Sequence, residues 1–181
     1  MSIFDKLKKN IAGITGNQKE TIEFKAIPES LAQMRALEEA ALDTPFQTAA
    51  LTVCALCVYA ADKEMGAQML NWLRGPRPMS NHELSFLNDR FREGKYYIPF
   101  SYFEGAVVEN DYTPNQPFRI TFEVGPYADA NPGYKKLLVR SGGADNPREI
   151  VLRQRGDGKW FLWDQFLLAG IRVPKSEDPW A

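Results

Sequence analysis

The chain has 181 residues, of which 44% are hydrophobic and 25% are charged. This length allows one domain to bury a core without disulfides or a structural metal, and the composition excludes a largely disordered protein. Lysine and arginine number 22 against 23 aspartate and glutamate residues, which gives a formal net charge of -1 at pH 7. Because no global positive field is present to attract nucleic acid, we expect no nucleic-acid partner.

Residues 1–20 are predicted to form an amphipathic N-terminal helix followed by a linker. Ile3, Leu7, Ile11 and Ile14 recur at helical spacing, with lysines elsewhere around the helix. Such a helix can dock on its own domain, on a partner protein or on a membrane surface. We expect docking on protein, because a single short helix binds a bilayer weakly without a second anchor.

The helical part of the domain is predicted to span residues 30–92. Apolar residues at helical spacing predict a first helix over residues 30–42. Thr44 and Pro45 are suited to begin the next helix, which runs through a long apolar stretch to about residue 59. Residues 62–74 either continue that helix or form a separate one.

The apolar stretch also bears on the cellular location. Residues 49–61 are fewer than the roughly 20 that a membrane span requires, and they contain Cys54 and Cys57. Two cysteines inside an apolar run fit a reducing compartment, so we expect buried thiols and a cytoplasmic location. With His82 they still fall short of a four-ligand zinc site, and no metal is predicted.

The amino-acid composition changes after the last predicted helix. Ser80 and Glu83 form a capping box, which predicts a helix over residues 81–91. From Lys95 onward, β-branched and aromatic residues alternate with frequent glycine and proline, so residues 95–181 are predicted to be mainly β. The predicted strands lie at residues 118–124, 134–140, 149–155 and 159–163.

Two local patterns refine this β part. The turn Gly156-Asp157-Gly158 joins the last two predicted strands as a hairpin, because its glycines separate runs rich in β-branched and aromatic residues. Asp164 is suited to cap a short helix over residues 165–169, which Gly170 would end.

The order of helices followed by strands predicts an α+β protein, with N-terminal helices packed on a C-terminal antiparallel β-sheet. We expect one domain over residues 21–181. The change in composition near Gly94 also fits two lobes, but each lobe would be small for a core of its own. The chain contains neither a phosphate loop nor a GxGxxG motif, and we expect no cofactor.

A glycine-rich loop between predicted strands is a candidate anion site. Consecutive glycines can expose backbone N–H groups and an arginine can pair with an anion, so Ser141, Gly142, Gly143 and Arg148 form a candidate anion nest. A strand-to-strand loop in which the glycines supply positive φ explains the same string. Residues 134–155 carry six basic and two acidic side chains, which fits an anion-facing surface or the solvent side of alternating strands.

Two aromatic-rich segments, one after Lys95 and one on the last predicted strand, are candidates for a pocket mouth or a partner surface. The candidate residues are Tyr97, Trp160, Trp163 and the adjacent Asp164. Most such rings pack in the core, and any that stay exposed would mark a binding site. We expect no catalytic residue, because nothing at recognisable spacing pairs His82 with a nucleophile and an orienting carboxylate. If the sheet encloses a pocket, Asp164, Tyr97 or His82 would supply an acid or base there.

Three segments carry a resemblance to other proteins: NDYTPNQPFRI at 110–120, SGGADNPR at 141–148 and GKWFLWDQFLLAGIRVPKSEDPWA at 158–181. Over residues 30–181 the chain resembles a family of uncharacterised bacterial proteins, chiefly from Firmicutes, known as a domain of unknown function. This resemblance implies a bacterial source and carries no catalytic residue across. More loosely, the arginine-rich strand, GDGKW turn and aromatic strand look like the last hairpin of cystatin-like or NTF2-like proteins, whose curved sheet wraps a helix around a cone-shaped cavity.

These patterns lead to two functional hypotheses. The first is a non-enzymatic intracellular binding or interaction module with a protein partner. The alternative is a small-molecule-binding protein or a cofactor-independent enzyme with an NTF2-like pocket. The sequence leaves the ligand, the pathway and the oligomeric state open.

Overall fold

The computed structural model describes residues 18–181, and the predicted N-terminal amphipathic helix lies outside these residues. The α-helices are α1 (Leu31–Arg35), α2 (Pro45–Ala61), α3 (Lys63–Arg74) and α4 (Asn81–Arg90). Short 3₁₀ helices occupy Glu38–Ala41, Lys95–Tyr102, Val108–Asn110 and Lys175–Glu177. The strands are β1 (Lys19–Phe24), β2 (Phe118–Val124), β3 (Tyr134–Val139), β4 (Arg148–Gln154) and β5 (Trp160–Gln165).

The five strands form one sheet in the order β1-β2-β3-β4-β5, and every neighbouring pair is antiparallel. The strands β2 to β5 follow one another along the chain, whereas β1 precedes the helices α1 to α4 and pairs with β2 at one edge. The predicted α+β class, with helices ahead of an antiparallel sheet, is therefore confirmed. The sequence analysis did not predict β1.

The helix α2 lies against one face of the sheet and forms the centre of the core. Every residue of α2 from Thr48 to Tyr59 is buried, which explains why the helix is apolar all round. Alternation along the strands turns one side chain in two toward α2, and these inner side chains are at most 1% exposed: Ile120, Phe122, Leu137, Val139, Ile150 and Leu152. The space between α2 and the sheet is thus occupied by packed side chains.

The boundary between α2 and α3 is set by Asp62. Its backbone is extended, and its side chain accepts a hydrogen bond from the Met65 N–H at 3.1 Å. Residues 62–74 therefore contribute a separate helix and do not continue α2. The two helices pack so closely that a Cβ on Gly66 would lie 2.3 Å from the Cα of Tyr59.

Within the part predicted to be mainly β, the aromatic run after Lys95 forms the 3₁₀ helix Lys95–Tyr102. Pro99 lacks an N–H for a strand ladder, and Ile98 and Tyr102 are buried in the core. One local prediction was wrong, because the helix predicted after Asp164 does not form in the described chain. Asp164 lies within β5, which extends to Gln165.

The predicted helix over residues 30–42 is interrupted. The helix α1 is only five residues long and is capped by Ser30, whose hydroxyl accepts from the Gln33 N–H at 3.1 Å. Leu37 is extended, and Glu38–Ala41 then forms a 3₁₀ turn. The helices beginning at Pro45 and Asn81 agree with their predicted starts, and both carry the complete capping box.

Candidate functional site

Three clefts meet at the end of β5, on the four residues from Leu162 to Gln165. The pairing of β4 with β5 shifts register beside Val151 and Leu152 at this point. A register shift of this kind re-aims side chains at a sheet edge. Asp164 is paired with Val151 and Leu162 with Leu152, so Trp163 lies between them at the shift. The three clefts share β5 as a common wall.

The first cleft, which we term the histidine cleft, lies between α4 and β5 and has a volume of about 250 Å³. Its floor is apolar and its rim is polar. The floor is formed by Leu56, Leu70, Leu87 and Leu162. His82, Glu83 and Asp164 stand at the rim, and His82 and Asp164 are both exposed. The structure thus brings together two of the three residues considered as an acid or base.

Glu83 is held by a network of hydrogen bonds at the border of the histidine cleft. One carboxylate oxygen accepts from Arg74 Nη2 at 2.7 Å and from Arg77 Nη2 at 3.3 Å, and the other accepts from the Ser80 N–H at 2.8 Å. The Ser80 N–H lowers the pKa of Glu83 below its ordinary value, and the nearby Arg74 charge adds to this effect. Arg74 itself is only 7% exposed.

The second cleft, which we term the arginine groove, has a volume of about 340 Å³ and lies between the segment after α3 and the β4–β5 hairpin. Its walls combine guanidinium groups with aromatic rings: Arg74, Arg77, Arg153, Arg155, Phe161 and Trp163. The Arg77 guanidinium carbon lies 4.3 Å from the centre of the Trp163 ring, and that of Arg155 lies 4.6 Å from the Phe161 ring. Such cation–π contacts hold each guanidinium by its face.

The third cleft, which we term the tyrosine cleft, has a volume of about 440 Å³ and opens on the outer face of the sheet. Tyr127 is 77% exposed and Phe166 is 53% exposed at its rim. Tyr134 meets Trp163 edge to face, with ring centres 5.3 Å apart. Exposed aromatic rings grouped around a cleft are unusual on a protein surface and mark a potential contact site.

The other two aromatic candidates lie elsewhere. Trp160 is half-buried at the start of β5, where its N–H donates to the Leu42 carbonyl at 2.9 Å and its carbonyl accepts from the Thr48 hydroxyl at 2.8 Å. It therefore ties β5 to the start of α2. Tyr97 stacks on Tyr112 with ring centres 5.3 Å apart, and burial raises its pKa. Tyr97 thus belongs to a second aromatic cluster and not to the histidine cleft.

The glycine-rich loop uses its donors within the chain. The Gly142 N–H donates to the Ser101 carbonyl at 2.8 Å, and the Gly143 N–H donates to the Ser141 hydroxyl at 3.0 Å. Arg148 donates through Nε, Nη1 and Nη2 to the carbonyls of residues 169, 146 and 170. The four residues of the candidate anion nest therefore hold the loop together, and the loop geometry does not favour an anion there.

The glycines of this loop are needed for space and not for conformation. Neither adopts a positive φ, in contrast to the expectation for a loop of this kind. A Cβ on Gly142 would lie 1.9 Å from the Ala106 carbonyl oxygen, and one on Gly143 would lie 2.0 Å from the Tyr112 hydroxyl. Close backbone approach thus explains the glycine pair.

Cys54 and Cys57 are free and buried on α2. Burial raises the pKa of both thiols, most directly through loss of hydration of the thiolate. Over residues 18–181, no group of three or more histidine, cysteine, aspartate or glutamate side chains is placed to hold a metal ion.

The groove arginines include two, Arg74 and Arg77, that sequence patterns did not identify. Arg153 and Arg155 belong to the basic segment recognised on the predicted strands, but Arg77 follows α3 and is separated from Trp163 by 86 residues. Only the packing of α3 against β5 brings Arg77 onto the indole ring. A lone arginine between two prolines gave no local signal of this contact.

Comparison with known proteins identifies a family but no relative of known function. The sequence profile of the family described as Domain of unknown function (DUF6935) matches residues 26–175. The chain belongs to this family. The DUF6935 match includes α1 to α4 and β2 to β5, and so contains all three clefts. No curated protein and no solved structure matches the chain.

Membership of the DUF6935 family confirms the resemblance to an uncharacterised family, and the family description assigns no activity. Within the part of the chain that the structure describes, no helix is both long enough and apolar enough to cross a membrane.

Proposed function

We propose that the protein is a non-enzymatic binding module that holds a partner protein at the tyrosine cleft. The observation that carries this proposal is the exposure of Tyr127 and Phe166 at the rim of a cleft on the face of the sheet opposite α2. Aromatic side chains anchor many protein interfaces, because they bury a large area with few rotatable bonds.

The chemistry of the cleft indicates the kind of partner. Tyr134 and Trp163 form the apolar wall, whereas Lys136 and Asp164 offer one charge of each sign at its border. A partner that inserts an apolar side chain and presents hydrogen-bonding groups around it fits this arrangement. The volume of about 440 Å³ is sufficient for one or two such side chains.

A photocrosslinking experiment tests the proposal. A photoreactive amino acid is placed at Tyr127 in cells of the source organism, and the same residue at Tyr96 serves as the control. Tyr96 is also exposed, at 53%, but it lies on the 3₁₀ helix Lys95–Tyr102. We expect a discrete protein adduct from Tyr127 that is absent from Tyr96 and is lost when Phe166→Ala is added. Equal adducts from both positions, or none from Tyr127, would contradict the proposal.

The histidine cleft favours a second candidate function, a small-molecule-binding protein or a cofactor-independent enzyme. His82 and Asp164 stand over a leucine floor, an arrangement that can bind an apolar molecule and exchange a proton with it. The test is a metabolite screen by ligand-observed NMR with the wild-type protein and the His82→Gln variant. Binding that His82→Gln weakens would support this function, and binding equal in both proteins would count against a role for the histidine.

We also infer a cytoplasmic location. The free and buried state of Cys54 and Cys57 supports a reducing compartment, because secreted domains of this size commonly oxidise their cysteines. Fractionation of the source cells with an antibody to the chain tests this inference, and recovery from a membrane or extracellular fraction would contradict it.

A further inference from the structure

The arginine groove carries more positive charge than its neighbours neutralise. Among residues 18–181, four arginines and no carboxylate line it. Glu83 pairs with Arg74 and Arg77, and Asp157 pairs with Arg155 at 2.5 Å. Two carboxylates thus face four guanidinium groups, which leaves two positive charges at the groove.

Of the four groove arginines, Arg153 has the weakest hydrogen bonding to the rest of the protein. Its side chain is exposed, and its Nη1 donates a hydrogen bond to the Pro132 carbonyl at the long distance of 3.5 Å. Its guanidinium carbon lies 4.2 Å from the centre of the Tyr134 ring. Stacking on a ring uses the face of the guanidinium and leaves its N–H groups able to bind an anion.

The groove also offers flat surfaces to a ligand. Arg77 and Arg155 lie over aromatic rings, and the outer face of a guanidinium held in this way can stack on a second planar group. The Phe161 ring is fixed in its wall by close packing on Gly75, where an added Cβ would lie 2.5 Å from the ring. The volume of about 340 Å³ suits a small organic molecule.

From these contacts we infer that the arginine groove binds a small phosphate ester that carries a flat aromatic ring, of the size of a nucleoside monophosphate. Guanidinium groups bind phosphate through several N–H donors. The phosphate therefore accepts hydrogen bonds from Arg153 and from the N–H groups of Arg155 other than Nη2, which donates to Asp157. The ring stacks on the guanidinium of Arg77. This inference goes beyond the proposed function, since the groove shares only Trp163 with the tyrosine cleft.

Calorimetric titration of the whole chain with adenosine monophosphate tests the inference. Three fragments are titrated for comparison. Adenosine lacks the phosphate, ribose 5-phosphate lacks the aromatic ring, and inorganic phosphate lacks both the ring and the sugar. We expect the monophosphate to bind at least tenfold more tightly than each fragment. The inference would be overturned if millimolar adenosine monophosphate gave no heat of binding. It would also be overturned if inorganic phosphate bound as tightly as the monophosphate.

Matched variants locate the site. Arg153→Gln and Arg155→Gln replace exposed arginines, and each is expected to weaken monophosphate binding about tenfold, the effect of one charge-assisted hydrogen bond. Arg140→Gln is the control, because Arg140 is an exposed arginine just after β3 that does not line the groove. An equal loss in the control would show binding elsewhere and overturn the inference. Tyr127 and Phe166 do not line the groove, so failure of this test is distinct from failure of the partner proposal.

Discussion

Glu83 is expected to stabilise the fold more than a surface carboxylate with the same kind of partner. Its charge compensates Arg74, which is only 7% exposed, over a hydrogen bond of 2.7 Å. Glu83→Gln keeps hydrogen-bonding atoms but removes the charge, which converts a charged hydrogen bond into a neutral one at a cost of about 1–2 kcal/mol. Glu83→Ala also removes the helix-capping bond to Ser80 and leaves Arg74 without its carboxylate, so we expect about 3 kcal/mol.

The measurement is urea denaturation, and Glu23 supplies the matched control. Glu23 pairs with Arg119 at 2.8 Å, but both side chains are about half exposed, at 51% and 42%. Solvent screens such a pair, so Glu23→Gln should change the free energy of unfolding by less than about 0.5 kcal/mol. Equal effects of Glu23→Gln and Glu83→Gln would refute the argument that burial of Arg74 decides the strength of the pair.

Acid provides a second check on Glu83. The folded structure lowers the pKa of Glu83 from its ordinary value of 4.5, chiefly through the Ser80 N–H. The stabilisation by this carboxylate is therefore complete above the unfolded pKa and is lost as the pH falls through the lower folded pKa. The difference in stability between the wild type and Glu83→Gln should shrink below about pH 4.5, whereas a constant difference down to pH 3 would exclude the carboxylate charge as its cause.

Three further predictions concern close packing and the buried thiols. Gly66→Ala should destabilise the protein by about 1–3 kcal/mol in urea denaturation, although helix propensity alone favours alanine by about 1 kcal/mol, because its methyl group meets the backbone of α2. Gly156→Ala is the control, since its methyl group would meet nothing within 4 Å. Gly142→Ala should cost about 2 kcal/mol or more in the same assay, and a neutral effect would mean that the loop moves freely. Cys54 and Cys57 should resist a thiol reagent in the native protein and react in urea, and rapid native labelling would show that α2 opens.

Local patterns were sufficient for several elements of the fold. The capping boxes at Thr44 and Ser80 specify where α2 and α4 begin, because both partners of each box lie within three residues. The turn Gly156-Asp157-Gly158 likewise specifies the β4–β5 hairpin. These features depend on hydrogen bonds between near neighbours, so the sequence displays them directly.

Elements that depend on distant partners were harder to recognise. The run from Tyr96 to Phe103 has strand-like composition, but β propensity measures the fit of a side chain to a half-buried surface, and a 3₁₀ helix packed on α2 meets the same need. The strand β1 did carry a signal, since Ile22 and Phe24 alternate with Thr21 and Glu23. That alternation is short, and it gains a partner only from a strand far along the chain.

The candidate site was predictable only in part. Trp163 and Asp164 were identified from the aromatic hairpin, and the basic character of Arg153 and Arg155 was visible in the same region. The contact of Arg77 with Trp163 depends on how α3 packs against the sheet, and no spacing rule connects two residues that far apart. The sequence also does not reveal the partners of the candidate anion nest, whose Gly142 and Gly143 N–H groups donate to the Ser101 carbonyl and the Ser141 hydroxyl.

The pairing of β1 with β2 has a consequence for protein synthesis. Thr21 lies opposite Thr121, 100 residues later in the chain. At a translation rate of about 5–20 residues per second, β1 leaves the ribosome roughly 5–20 seconds before its partner strand has been made. During that interval the helices are already available to collapse around α2, while the alternating apolar side chains of β1 have no sheet to join. The growing chain must therefore keep β1 unpaired until β2 arrives. The edge formed by β1 and β2 is then the first pair of the sheet that synthesis allows to form, and the β5 edge at the candidate site is the last.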